Sequence, residues 1–183
     1  MGLFAWLRTH VSKHSGRKWP GSGGDAESAL AELERLRATL EPAFSRETAS
    51  PQTSSAGKPP SAGHCAAVAA IVWQRLGGEL VSARVQGESH WFNRVKIGER
   101  VIDVDLTGDQ FGLPPVMAAE PGRLHPGTRP RTPSELQDET IQRAILLARK
   151  AGLDDTVEHL FSILRDRAEV VRGTARESKD RGR

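Results

Sequence analysis

The sequence is short of most things that would narrow a function by composition. It holds one cysteine in 183 residues, so no internal disulfide and no multi-cysteine zinc motif can be built, and no oxidising compartment is implied. Tyrosine is absent, and no apolar run approaches the roughly 20 residues needed to cross a bilayer. The stretch Leu3 to Leu7 is too short for a signal-peptide core and precedes its basic residues instead of following them. Charge of one sign is scarce as well. The 26 Lys+Arg against 23 Asp+Glu leave a net +3, too little to argue for a nucleic-acid partner. Apolar residues make up 37%, below the roughly 45–50% of ordinary domains, so part of the chain buries nothing. These absences point to a soluble, cytoplasmic protein with one core and some loose polymer.

What is present is unevenly distributed. Residues 1–24 carry Arg8, Lys13, Arg17 and Lys18 without an acid, together with Leu3, Phe4, Trp6, Leu7 and Val11. A basic amphipathic stretch over residues 1–18 could touch an anionic membrane surface; the plainer reading is a frayed terminus. Trp6 stands where N-myristoylation needs Ser or Thr. Residues 25–42 read as a helix, with Asp25 as cap, Leu30, Leu33, Leu36 and Leu40 as stripe, and Pro42 past the end. Residues 48–63 are Ser/Pro/Gly-rich and read as an extended connector.

The core signal begins at residue 64. Cys65, Val68, Ala69, Val72 and Leu76 recur at helical spacing, and Gly77-Gly78 stop the helix. Three β-like runs follow, Leu80 to Val85, His90 to Ile97 and Arg100 to Thr107, separated by Gly87 and Gly98. From Gly112 to Pro130 the chain is Pro/Gly-rich. Thr132-Pro133-Ser134-Glu135 has the pattern of a capping box that opens a helix ending before Gly152. A last helix is expected from about Asp154 to Val171. Segments 1–24, 48–60 and 173–183 are expected to be mobile, the last as a disordered tail. The fold class is therefore α+β: a core over residues 44–125, a helical pair over 126–172, and the helix at 25–42.

Chemistry concentrates around Cys65. In the opening turn of its helix, unpaired N–H groups and the positive end of the helix dipole favour a thiolate and could hold an oxyanion. If the loop between the second and third runs is Ile97-Gly98, or Lys96 to Glu99, His90 lies directly opposite Asp105 on one face of a hairpin. Trp91, Val95, Ile97, Ile102 and Val104 then share the other face, a good core face. A cysteine at a helix start, with a histidine and a carboxylate on adjacent strands, is the arrangement of papain-like thiol enzymes. Cys65 would be the nucleophile, His90 the general base and then acid, and Asp105 the orienting carboxylate. The plainer reading of Cys65 is a small core residue.

The words Gly63-His64-Cys65, Leu76-Gly77-Gly78-Glu79, Ser89-His90-Trp91-Phe92-Asn93-Arg94, Asp105-Leu106-Thr107 and Asp109-Gln110-Phe111 resemble the YunG family of bacterial proteins, as does Ser45-Arg46-Glu47-Thr48 upstream. The resemblance spans about residues 44–112 and leaves the N-terminal helix and the C-terminal helical pair outside. It implies a papain-like or transglutaminase-like core, with a Cys-bearing helix packed on a small antiparallel sheet. Added to the Cys65, His90 and Asp105 pattern, it favours a thiol-dependent acyl-transfer or amide-hydrolysing enzyme, a cysteine hydrolase, amidase or transglutaminase-like protein, without giving its substrate, a small-molecule amide or a protein. Asn93 and Gln110 are amide candidates for a second oxyanion donor, and Asp103 is a reserve carboxylate whose plainer role is to pair with Arg94.

Two other chemistries compete. Cys65, His90, Asp105 and His64 could supply a mixed zinc set, but no close-spaced ligand pair lies on a turn, so neither metal nor other cofactor is expected. His125, in a Pro/Gly loop, reads as solvated. The main rival to an enzyme is a non-catalytic scaffold or protein-binding module built on the same fold.

Overall fold

The computed structural model describes residues 26–53 and 57–180. The expectations for residues 1–24, for the Asp25 cap, for 54–56 in the connector and for 181–183 lie outside them.

Helix α1 (Ala26–Leu40) ends in a 3-10 turn, Glu41–Ala43, that carries Pro42. Leu33, Leu36 and Leu40 are buried as the stripe requires, and Arg37 is buried among them, while Leu30 stays exposed. The connector that follows is a chain of turns rather than an extended strap. Ser50 N–H donates to the Gly63 carbonyl at 2.9 Å, and Thr48 is fully buried. Helix α2 (Cys65–Leu76) is buried over most of its length, from Ala67 through Val72 and again at Gln74 and Leu76. A single buried stripe would suit a surface helix. This one is buried on more than one side because the sheet covers one side and other helices pack against another. Gly77 ends it with φ 73°, its N–H returning to the Trp73 carbonyl.

Five antiparallel strands form one sheet in the order β4-β3-β2-β1-β5: β1 (Glu79–Val85), β2 (Glu88–Ile97), β3 (Arg100–Asp105), β4 (Met117–Ala119) and β5 (Arg129–Arg131). The two edge strands arise from the Pro/Gly-rich segment that had read only as loop. Three residues are too few to show a period, and Pro130 is accommodated because β5 is an edge strand.

The β2–β3 register differs from the expected one. The turn is Gly98-Glu99, so Ile97 pairs with Arg100, Arg94 with Asp103 and Asn93 with Val104. Every pairing is displaced by two residues, and His90 sits diagonal to Asp105 rather than opposite it. A two-residue displacement leaves each side chain on its expected face, whereas a one-residue slip would have inverted them all. Leu80, Val95, Ile97 and Val104 accordingly join the helices in the main core, and Val81, Ala83 and Phe92 form a small second core on the other face.

The capping box at Thr132 and Glu135 forms, but it closes a separate 3-10 turn, Pro133–Glu135. Leu136 and Gln137 return to extended geometry before helix α3 (Asp138–Lys150) begins. Arg167 explains the break: its guanidinium takes the carbonyls of Pro133 (2.7 Å) and Leu136 (2.9 Å), which a continuous helix would have used itself. Helix α4 (Asp154–Asp180) runs beyond the expected end near Val171. It packs against α3 and α2 through Val157 and Leu160, which join the main core. No described helix is long and apolar enough to cross a membrane.

Candidate functional site

Cys65 is the first residue of α2 and is partly exposed. His64 precedes it as N-cap without a side-chain cap, and no acidic residue stands in the first turn. Helical geometry leaves the first-turn N–H groups without intrahelical acceptors, so partial positive charge gathers around the thiol.

His90 and Asp105 meet on the outer face of the sheet. His90 Nε2 lies 2.7 Å from Asp105 Oδ2, and both residues are almost fully buried, at 0% and 1% exposure. A carboxylate can only accept, so Nε2 carries the proton and donates it. The opposite ring nitrogen, Nδ1, faces the Gln110 side chain, 3.5 Å away, and Cys65 is near enough to the imidazole to favour its protonated form. Asp105 Oδ1 accepts the Thr107 N–H (2.8 Å) and the Thr107 hydroxyl (3.2 Å), which fixes the plane of the carboxylate.

A third ring completes the cluster. His125 Nε2 lies 2.9 Å from the same Asp105 Oδ2, and the two histidine rings meet edge to face, with centroids 5.0 Å apart. Far from being solvated, His125 is 2% exposed. Phe92 stands edge to face with it at 5.0 Å, and the His125 carbonyl accepts the Thr128 hydroxyl. Sequence reasoning missed this residue. The one available signal is indirect: Phe92 alternates with His90 on a face outside the helical core, so something downstream had to cover it.

The remaining candidates separate by position. Gln110 joins the cluster, donating to the Thr107 carbonyl at 2.9 Å while facing His90. Asn93 is on the other side of β2, where its amide donates to the Ala69 carbonyl at 3.0 Å and ties α2 to the sheet. Asp103 is held by Arg94 Nε (2.7 Å) and the Gly122 N–H (2.7 Å), as its plainer reading anticipated, and does not touch His90. His64 also lies apart, with Nε2 2.8 Å from the Thr48 hydroxyl and Nδ1 3.1 Å from the Ala62 carbonyl. Among the described residues, the group with metal-ligand chemistry is therefore His90, Asp105 and His125, whose donor atoms lie within 4.8 Å of one another, not the set that included His64. These atoms already hydrogen-bond one another.

The electrostatics follow from this packing. Burial opposes charge on His90, but hydrogen bonds to Asp105 and Cys65, and the negative charge of both, outweigh it and push the imidazole up to about 9. Burial likewise opposes the Asp105 carboxylate. The bonds from His125 and His90, the His90 charge and the Thr107 N–H prevail, and hold it well below the usual carboxylate range. Burial pushes His64 down, away from charge. The site is thus an imidazolium–carboxylate pair, with Cys65 near enough to act on the imidazole.

Compared with known proteins, residues 32–151 match the family model described as YunG protein. The matched span is wider than the sequence words suggested, taking in much of α1 and all of α3. No curated protein and no solved structure matches the chain.

Proposed function

This chain belongs to the YunG family, and from that premise we propose that it is a thiol-dependent acyl-transfer or amide-hydrolysing enzyme. The observation that carries the reading is the buried 2.7 Å bond between His90 and Asp105, with Cys65, the first residue of α2, near enough to act on the imidazole. Cys65 attacks the carbonyl carbon of an amide as thiolate, and a C–S bond forms. The oxyanion faces N–H groups of the first turn of α2. His90 then gives its proton to the departing amine as the C–N bond breaks. Water or an amine, deprotonated by His90, releases the acyl group and regenerates the thiol. Asp105 keeps the proton on Nε2, leaving Nδ1 to exchange protons with the thiol. A helix-start cysteine, with histidine and carboxylate on neighbouring strands, supports a papain-like core. Gln110 is better placed than Asn93 to assist, because it shares the His90 side of the sheet.

A second reading rests on the complete burial of His90 and Asp105, which also suits a non-catalytic scaffold. The pH dependence of Cys65 alkylation by iodoacetamide decides between them. An enzyme site reacts at mildly acidic pH, and His90→Ala moves the profile toward that of an ordinary thiol. A thiol inert until the protein unfolds, or a profile indifferent to His90→Ala, overturns the enzyme reading in favour of the scaffold.

A further inference from the structure

Asp105 has two histidines on one oxygen, and only one of them has a part in the thiol chemistry. We propose that His125 is a positioning residue: it acts on the His90 proton equilibrium through Asp105, by donating to the same carboxylate oxygen. The inference rests on the thiol reading for its functional meaning, but the contact itself does not depend on it.

The geometry separates charge from orientation. Thr107 already fixes the carboxylate plane through two donors on Oδ1, so His125 is not needed to aim Asp105. Its Nε2–H, 2.9 Å from Oδ2, instead draws on the electron pairs that His90 uses at 2.7 Å. A carboxylate oxygen that accepts two strong donors holds each less tightly than it would hold one. His125 therefore moderates how strongly Asp105 stabilises the protonated His90 ring. A general base that later acts as an acid must release its Nδ1 proton as well as hold it, and Brønsted behaviour favours an intermediate strength. The titratable groups that face His90 among the described residues are Asp105 from β3, Cys65 from α2 and His125 from the segment before β5; Gln110, Phe92 and Phe111 supply its neutral surroundings.

The test follows the imidazole rings by nitrogen-detected NMR in the full chain, with Cys65 alkylation recorded in parallel. In the wild type, both His125 and His90 should carry a proton on Nε2. An unprotonated Nε2 on His125 overturns the proposal without any variant. His125→Leu, which keeps bulk and removes the donor, should raise the midpoint of the His90 titration by about one pH unit. His125→Gln, whose amide can donate from a similar place, should bring it back. A midpoint that does not move, or that falls together with thiol reactivity, means His125 only fills the pocket, and the proposal is wrong. If wild-type alkylation instead ignores His90→Ala while the His90 midpoint still rises in His125→Leu, the enzyme reading fails and the coupling through Asp105 stands.

Discussion

Raising the pH should destabilise this protein through His90. The ring titrates at about 9 in the folded chain against 6.5 for an ordinary histidine. Below 6.5 both folded and unfolded chains hold the proton, and the full stabilisation is present. Between 6.5 and about 9 the unfolded chain has released its proton while the folded chain keeps it, so stability falls as pH rises. Above about 9 the contribution is gone. At about 1.4 kcal/mol per pH unit, the interval corresponds to about 3 kcal/mol. Because His90 is wholly buried, solvent screening takes little from that figure. For a domain of this size, with a urea dependence of about 2 kcal/mol per molar, the unfolding midpoint should drop by about 1.5 M across the window. The assay is urea denaturation followed by tryptophan fluorescence, at intervals from about pH 6 to about pH 9.5 (below the range of ordinary lysines). His90→Gln should lower stability at the acidic end and flatten the profile. A wild-type midpoint that stays constant across the window, or that falls equally in His90→Gln, would show that the His90–Asp105 pair does not hold the proton as described.

Three further outcomes test separate parts of the structure. Asp105→Asn should slow Cys65 alkylation at mildly acidic pH by about tenfold, one pH unit's worth, and leave the rate at alkaline pH near wild type; comparison of the two rate profiles checks it. Gly78→Ala would place a Cβ 2.2 Å from the Arg94 carbonyl oxygen at φ +82°, so it should cost about 3 kcal/mol or more, a fall of about 10 °C in Tm by calorimetry. Arg37→Met should remove the 2.9 Å bond to Asp109, whose other oxygen accepts the Ser61 hydroxyl at 2.6 Å. A loss of about 2 kcal/mol is expected, with faster hydrogen exchange in residues 108–111.

Much of the site was legible because its parts are local. Cys65 at a helix start follows from apolar spacing and the Gly77-Gly78 stop, and the common face of His90 and Asp105 follows from strand parity. The register was misread because hairpin loops of Gly98-Glu99 and Ile97-Gly98 are equally acceptable by pattern, and both keep the same faces. The diagonal contact is close enough for His90 and Asp105 to bond all the same, so the pairing survived an incorrect alignment. Arg94 and Asp103, meanwhile, are directly opposite in the register that forms.

Helical spacing, strand alternation and turn residues are properties of neighbours in the chain, and they determined α2, β1, β2, β3 and which residues point to which side. Events between distant segments carry no such period. Arg167 interrupts the start of α3 from the far end of the helical pair, two three-residue edge strands form only because β1 and β3 offer free edges, and α2 is buried on more than one side because the sheet and the helical pair meet on it. His125 is the clearest case. Nothing near it in the sequence distinguishes it from a solvated loop residue, and only the folding of the Pro/Gly-rich segment across Phe92 brings its ring to the oxygen of Asp105 that His90 already holds.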